Sequence, residues 1–186
     1  MNGPDLILGS LAFGINGELT SAHDSSATNG KLVPQTKCIY PVPWADHGKY
    51  AIGEILCEYV PMNGHSRDGE PRNTARKQIE RLSELGFQVK SGFESEFILF
   101  KQGTKLPYTE TPYHYNNVHV ANSNGLFYEI AEKISCIDPY VGCELHYFTP
   151  EFAAGQQEYV FKPAVGIAAA DQMFIFRDVI KTITPR

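Results

Sequence analysis

The sequence predicts a mixed fold of strands and helices in two parts, and three observations carry that reading. Two runs rich in Ile, Val, Tyr and Cys, Leu32–Tyr40 and Tyr50–Tyr59, read as strands of one sheet, joined through Pro41-Val42-Pro43-Trp44 and the polar Asp46-His47-Gly48. A polar, Gly-containing connection, Val60–Glu70 (VPMNGHSRDGE), is the best boundary in the chain. Beyond it lies the clearest helix, Pro71–Leu85. Pro71 suits a first turn, Ala75, Ile79, Leu82 and Leu85 recur at helical spacing, and Gly86 is a natural stop. Its basic residues Arg72, Arg76, Lys77 and Arg81, interleaved with Glu80 and Glu84, would normally form a solvated face, a reading that holds for most of them.

Composition narrows the class. The 186 residues, 42% hydrophobic and 12% aromatic, suffice for one good core or two small domains of a folded protein. A net charge of −5 with no basic cluster argues against a nucleic-acid partner, because phosphate binding needs clustered Lys and Arg. Cys38, Cys57, Cys136 and Cys143 are scattered with no CxxC pair, so neither a zinc site nor a disulfide framework is suggested. Free thiols point to a reducing compartment. No run reaches the roughly 18 apolar residues of a membrane span, and the N-terminus lacks a signal-peptide pattern, so a cytoplasmic location is expected.

The remaining segments follow in order. Leu6–Phe13 is a strand or a short buried helix, and Gly14–Lys31 is a polar loop. His65, in the Val60–Glu70 connection, has no Cys or second His at metal spacing and reads as a solvated loop residue. Lys101–Asn124, polar and aromatic, is a long loop of the kind used as a lid or subunit contact, with His114 and His119 as surface residues. Asn124–Ile137 reads as an amphipathic helix with Leu126, Phe127, Ile130, Ile134 and Ile137 on its apolar side. Tyr140–Phe148 reads as a strand. Gly166–Ile183 is a third helix whose small residues, Ala168-Ala169-Ala170, permit close packing.

Two stretches carry the chemistry. In Phe93–Phe100 a period of two places Phe93, Ser95, Phe97 and Leu99 on one face and Glu94, Glu96, Ile98 and Phe100 on the other. Both faces are largely apolar, which reads as a central strand. Carboxylates about 7 Å apart on a buried face repel and lose hydration unless a cation compensates or one takes up a proton. The alternative is that both sit at an exposed strand mouth. Pro150–Phe161 (PEFAAGQQEYVF) then reads as strand, turn, strand, with Glu151 and Glu158 on either side of Ala153-Ala154-Gly155. Hard divalent ions need several converging carboxylates, so this pair is a candidate cation site; a solvated hairpin is the commoner origin of such a pattern.

Together these motifs resemble the glutamine synthetase family. GFESEFILF carries a Glu-x-Glu strand, EFAAGQQEYVFKPAVGIAAADQMFIF a Glu-x-x-x-Gly-Gln-x-Glu block and an Ala-Asp helix, PRNTARKQIERLSELGF a Pro-Arg helix, and LVPQTKCIYPVPWA the Pro-Trp region of an N-terminal domain. The resemblance runs from about Leu32 to the end. It implies an α+β fold, with residues 1–66 an incomplete β-grasp-like domain. Residues 67–186 would be the N-terminal part of a glutamine-synthetase-type catalytic domain with a curved antiparallel sheet and packed helices. It also implies that Glu96, Glu151 and Glu158 hold a first Mg²⁺ or Mn²⁺ and that Glu94 belongs to a second ion at the nucleotide phosphates. The implied chemistry is phosphoryl transfer from ATP to glutamate, followed by attack of ammonia, in a homo-oligomeric ring.

Several departures qualify that implication. Gln35 stands where many members have Asp, Thr149 where many have His or Asn, and no Asp-Gly-Ser-type loop is found. The chain ends before the family's Asn-Gly-x-Gly-x-His-x-His segment and ATP-site arginines, so the expectation is a truncated form that does not make glutamine unaided and is unstable or aggregates alone. No individual catalytic residue is assigned. Lengsin-like members of the family, regarded as structural or cytoskeleton-associated, supply a second reading; the four retained acids favour the enzyme lineage, while the altered N-terminal loop favours the structural relative.

Overall fold

The computed structural model describes residues 5–7, 29–45, 48–61, 70–109 and 125–184. The expected loops around His65, His114 and His119, and most of Leu6–Phe13 and Gly14–Lys31, lie outside the described residues. The chain divides into two compact units, 1–39 with 55–89 and 40–54 with 90–186.

The first unit is built on a three-stranded sheet in the order β1 (Asp5–Ile7), β2 (Asn29–Pro41), β3 (Gly53–Pro61). β2 starts at Asn29, inside the expected loop, because Asn29, Gly30 and Lys31 pair with β1. Helix α1 (Pro71–Glu84) follows. Glu70 caps it: its carboxylate accepts from the backbone N–H groups of Arg72 at 3.1 Å and Asn73 at 2.5 Å, two donors left over at a helix start. At the other end Gly86 takes φ 84°, its N–H donates to Ser83 O at 2.9 Å, and that of Phe87 to Leu82 O at 3.0 Å. This is a Schellman closure, and it requires a residue at ease in the left-handed region.

Two features of α1 go beyond its sequence pattern. Its apolar stripe is not a packed face: Leu82 is 39% exposed and Leu85 72%. Two of its cations are not merely solvated, because Arg72 and Arg76 lie 3.5 and 3.8 Å from the Glu58 carboxylate on β3. Gln35 on β2 donates to the same carboxylate at 3.3 Å. An Asp at position 35 would bring a second anion to this cluster where Gln35 brings a donor.

The second unit holds the larger core. A three-stranded antiparallel sheet in the order β5 (Glu94–Ile98), β7 (Gln156–Phe161), β6 (Leu145–Pro150) is backed by α2 (Leu126–Val141) and α3 (Ala168–Ile183). A short pair, β4 (Lys90–Ser91) with β8 (Ala164–Val165), lies beside it in sequence. On the core face Phe97 and Phe148 meet Tyr159 at ring separations of 5.2 and 5.3 Å, and Phe176 of α3 meets Phe161 at 4.9 Å. The Tyr159 hydroxyl, buried at the centre, donates to Phe127 O of α2 at 2.8 Å, which satisfies a polar group that would otherwise be costly there. Phe127, Ile130, Ile134 and Ile137 are buried as their spacing predicts. Ala169 is buried too, consistent with close packing at the start of α3.

Three boundaries differ from the sequence reading. β5 is an edge of this sheet among the described residues, with β7 at the centre. Tyr140 and Val141 belong to the last turn of α2, which runs through Pro139 to Gly142 (φ 64°), so the strand expected at Tyr140 begins at Leu145. α3 begins at Ala168, two residues after the expected start. No helix among the described residues is long and apolar enough to cross a membrane, and none of the four cysteines is in a disulfide.

Candidate metal centre

The face of the sheet opposite the helices is acidic. β5 pairs with β7 so that Glu96 stands directly opposite Glu158, Glu94 opposite Val160 and Ile98 opposite Gln156. Directly opposed residues share a face, so Glu94, Glu96, Gln156 and Glu158 project to one side while Gln157, Tyr159 and Phe161 project into the core. On the other flank of Glu158 stands Thr149 of β6. Glu94 and Glu96 are exposed and Glu158 is half-buried. The exposed-mouth alternative therefore describes Glu94 and Glu96, and the buried central strand does not.

Glu151 reaches this face from the bend. Its backbone N–H donates to Gln156 O at 3.0 Å, closing residues 151–156 into a tight connection, and Gln156 N–H donates to Ala153 O at 3.0 Å. Gly155 adopts φ 72°, and a Cβ there would lie 3.1 Å from both Leu99 O and Pro107 Cβ. The bend requires glycine twice over, by backbone conformation and by space. Glu151, only 9% exposed, is thereby held close enough to Glu158 for its charge to act on that carboxyl.

The four acids act on one another at Glu158. Burial first, then the charges of Glu151, Glu94 and Glu96, push its carboxyl above the usual carboxylate range. The donor set is oxygen-only and anionic, which fits a hard divalent cation. Among the described residues, however, no group of three or more His, Cys, Asp or Glu side chains is arranged to hold a metal ion. Strand register and the bend together bring the four acids to one face without closing them into a coordination sphere.

Gln156 has no assigned role in the sequence reading. It lies inside the Gly-Gln-x-Glu block, two positions from Glu158, so strand alternation alone places it on the acidic face. Its side-chain Nε2 donates to Glu96 Oε2 at 2.5 Å, and its Oε1 accepts from the backbone N–H of Ala153 at 3.0 Å.

Fold and face define an α+β protein whose antiparallel sheet packs one side on two helices and gathers acids on the other. Residues 68–186 match the family model of the glutamine synthetase catalytic domain. With more than half of its length so matched, the chain belongs to the glutamine synthetase family. Glutamine synthetase of Halobacterium salinarum is 26% identical over 153 residues, covering 82% of this chain and 34% of that protein. Lengsin of Rattus norvegicus is 21% identical over 155 residues, covering 83% of this chain and 26% of that protein. The crystal structure of a novel glutamine synthase homolog superposes with a TM-score of 0.78 at 22% identity, over 97% of this chain and 41% of that one, a likeness of fold. The chain spans about a third of the length of the curated glutamine synthetase it matches.

Proposed function

We propose that this chain contributes the cation-binding acids of an ATP-dependent glutamate–ammonia ligase, with Glu96, Glu151 and Glu158 holding a first Mg²⁺ or Mn²⁺ and Glu94 serving a second. The observation that carries the reading is the register of β5 on β7, which opposes Glu96 to Glu158 with Glu94 two residues along and Glu151 delivered by the bend. Four acids on one face repel one another, and a divalent ion offsets that repulsion. A bound ion would neutralise charge on a transferring phosphoryl group and orient the acceptor carboxylate.

The residues of this chain have a narrower role. Gly155 shapes the bend, which holds Glu151 near Glu158, and β5 presents Glu94 and Glu96 beside them. The proposal extends to a division at residues 66/67 between a β-grasp-like and a catalytic domain, a cytoplasmic location and a homo-oligomeric ring, with ATP, glutamate and ammonia as substrates. The second reading is a lengsin-like protein released from catalysis. It is favoured by the absence, among the described residues, of a three-acid group arranged to hold an ion. Titration calorimetry with Mn²⁺ separates the two. In the enzyme reading the wild-type chain binds the ion and Glu96→Ala weakens binding by about tenfold or more. Equal behaviour of the two proteins would favour the second reading.

A further inference from the structure

We infer that Gln156 is a positioning residue for this cation site, holding one carboxylate oxygen of Glu96 and leaving the other for the ion. The inference rests on the reading of Glu96 as a ligand and goes beyond it, because Gln156 would touch neither ion nor substrate.

The amide of Gln156 can face only one way. Its Oε1 accepts from the Ala153 N–H at 3.0 Å, so its Nε2 is the end presented to Glu96 Oε2, at 2.5 Å. Turning the amide over would set NH₂ against N–H and carbonyl against carboxylate, two repulsions in place of two hydrogen bonds. The backbone of the same residue is fixed as well. Its N–H donates to Ala153 O and its carbonyl accepts from Glu151 N–H, both at 3.0 Å. Gly155, at φ 72° and with little room for a Cβ, sets the turn from which this amide projects.

Gln156 and Glu96 lie diagonally across the β5–β7 ladder, since Gln156 opposes Ile98 and Glu96 opposes Glu158. The side chain of Gln156 therefore joins the bend that carries Glu151 to the edge strand that carries Glu96. An exposed glutamate on an edge strand has many rotamers, and ordering it carries an entropic cost. A hydrogen bond from a fixed amide removes much of that cost before an ion arrives. Groups that orient metal-ligating carboxylates in this way typically change affinity by about 10- to 100-fold when removed.

The test is a two-by-two set on the full chain: wild type, Glu96→Ala, Gln156→Met and the double variant, each titrated with Mn²⁺ by calorimetry and melted without metal. Gln156→Met should bind Mn²⁺ about 10- to 100-fold more weakly with an unchanged metal-free melting temperature. In the Glu96→Ala background it should add less than about twofold, because the group it orients is gone. Should Gln156→Met fail to fold, Gln156→Asn serves: it keeps the amide but is one methylene short of spanning Ala153 and Glu96, and the same loss is expected. Wild-type affinity in the Gln156 variants, with Glu96→Ala weakened, overturns the inference alone. An equal loss in both backgrounds also overturns it, since that marks a general effect on the bend. Undiminished Mn²⁺ binding by Glu96→Ala removes the ligand reading and the inference with it.

Discussion

Asp138 shows how one side chain records its surroundings. It sits in the last turn of α2, where a helix's partial negative charge disfavours an anion. Burial first, then the charge of Glu144, raises its carboxyl above the usual range, with Lys162 opposing. A raised acid stabilises the fold fully below its unfolded pKa, and that contribution is lost as pH rises through the folded one. Asp138→Asn is therefore expected to stabilise the chain at pH 7 and to make no difference near pH 3. Because the site is partly exposed the gain should be small, about 0.5 kcal/mol or less, readable as a paired melting series against pH. Cys143 illustrates the same physics: burial and then Asp138 push its thiol up to about 12, which keeps it in the unreactive thiol form. Residue identity announces such groups, but their environment comes from packing that no short window of sequence contains.

At the scale of elements both ends of α1 were well marked by Pro71 and Gly86, whereas the end of α2 at Gly142 was missed. Pro71, Gly86 and Gly142 stand at the boundaries where capping chemistry needs them. Gly86→Ala should therefore cost about 1 to 2 kcal/mol, seen as a lower urea midpoint at unchanged slope. The cost is purely conformational, because a Cβ at Gly86 would meet nothing within 4 Å. Strand order was less legible. Alternation along Phe93–Phe100 sorted its residues correctly between two faces, yet the apolar character of both suggested a central strand. β5 is instead an edge whose second face, with Ile98 39% exposed and Phe100 53%, is left uncovered by any described helix. Period two identifies faces; it carries no information about what lies on them.

Across the whole molecule the apolar surface is extensive. Leu85 is 72% exposed, Phe87 66%, Phe152 63% and Phe174 59%. Exposed apolar groups of this size promote association. The chain should accordingly self-associate at micromolar concentration, and Leu85→Lys with Phe87→Lys should raise the monomer fraction in sedimentation velocity without altering far-ultraviolet dichroism. Unchanged association in that double variant would place the sticky surface elsewhere.

The sequence by itself determined the kind of element at most positions, the family, and the four acids with the glycine between them, because each depends on local chemistry: helical spacing, turn residues, a motif of fixed length. Tertiary structure decided what those residues meet. The opposition of Glu96 and Glu158 arises from pairing between strands about sixty residues apart, and with it the raised carboxyl of Glu158 and the amide bridge from Gln156. Register across a sheet is a property of two segments at once, and neither segment encodes it alone.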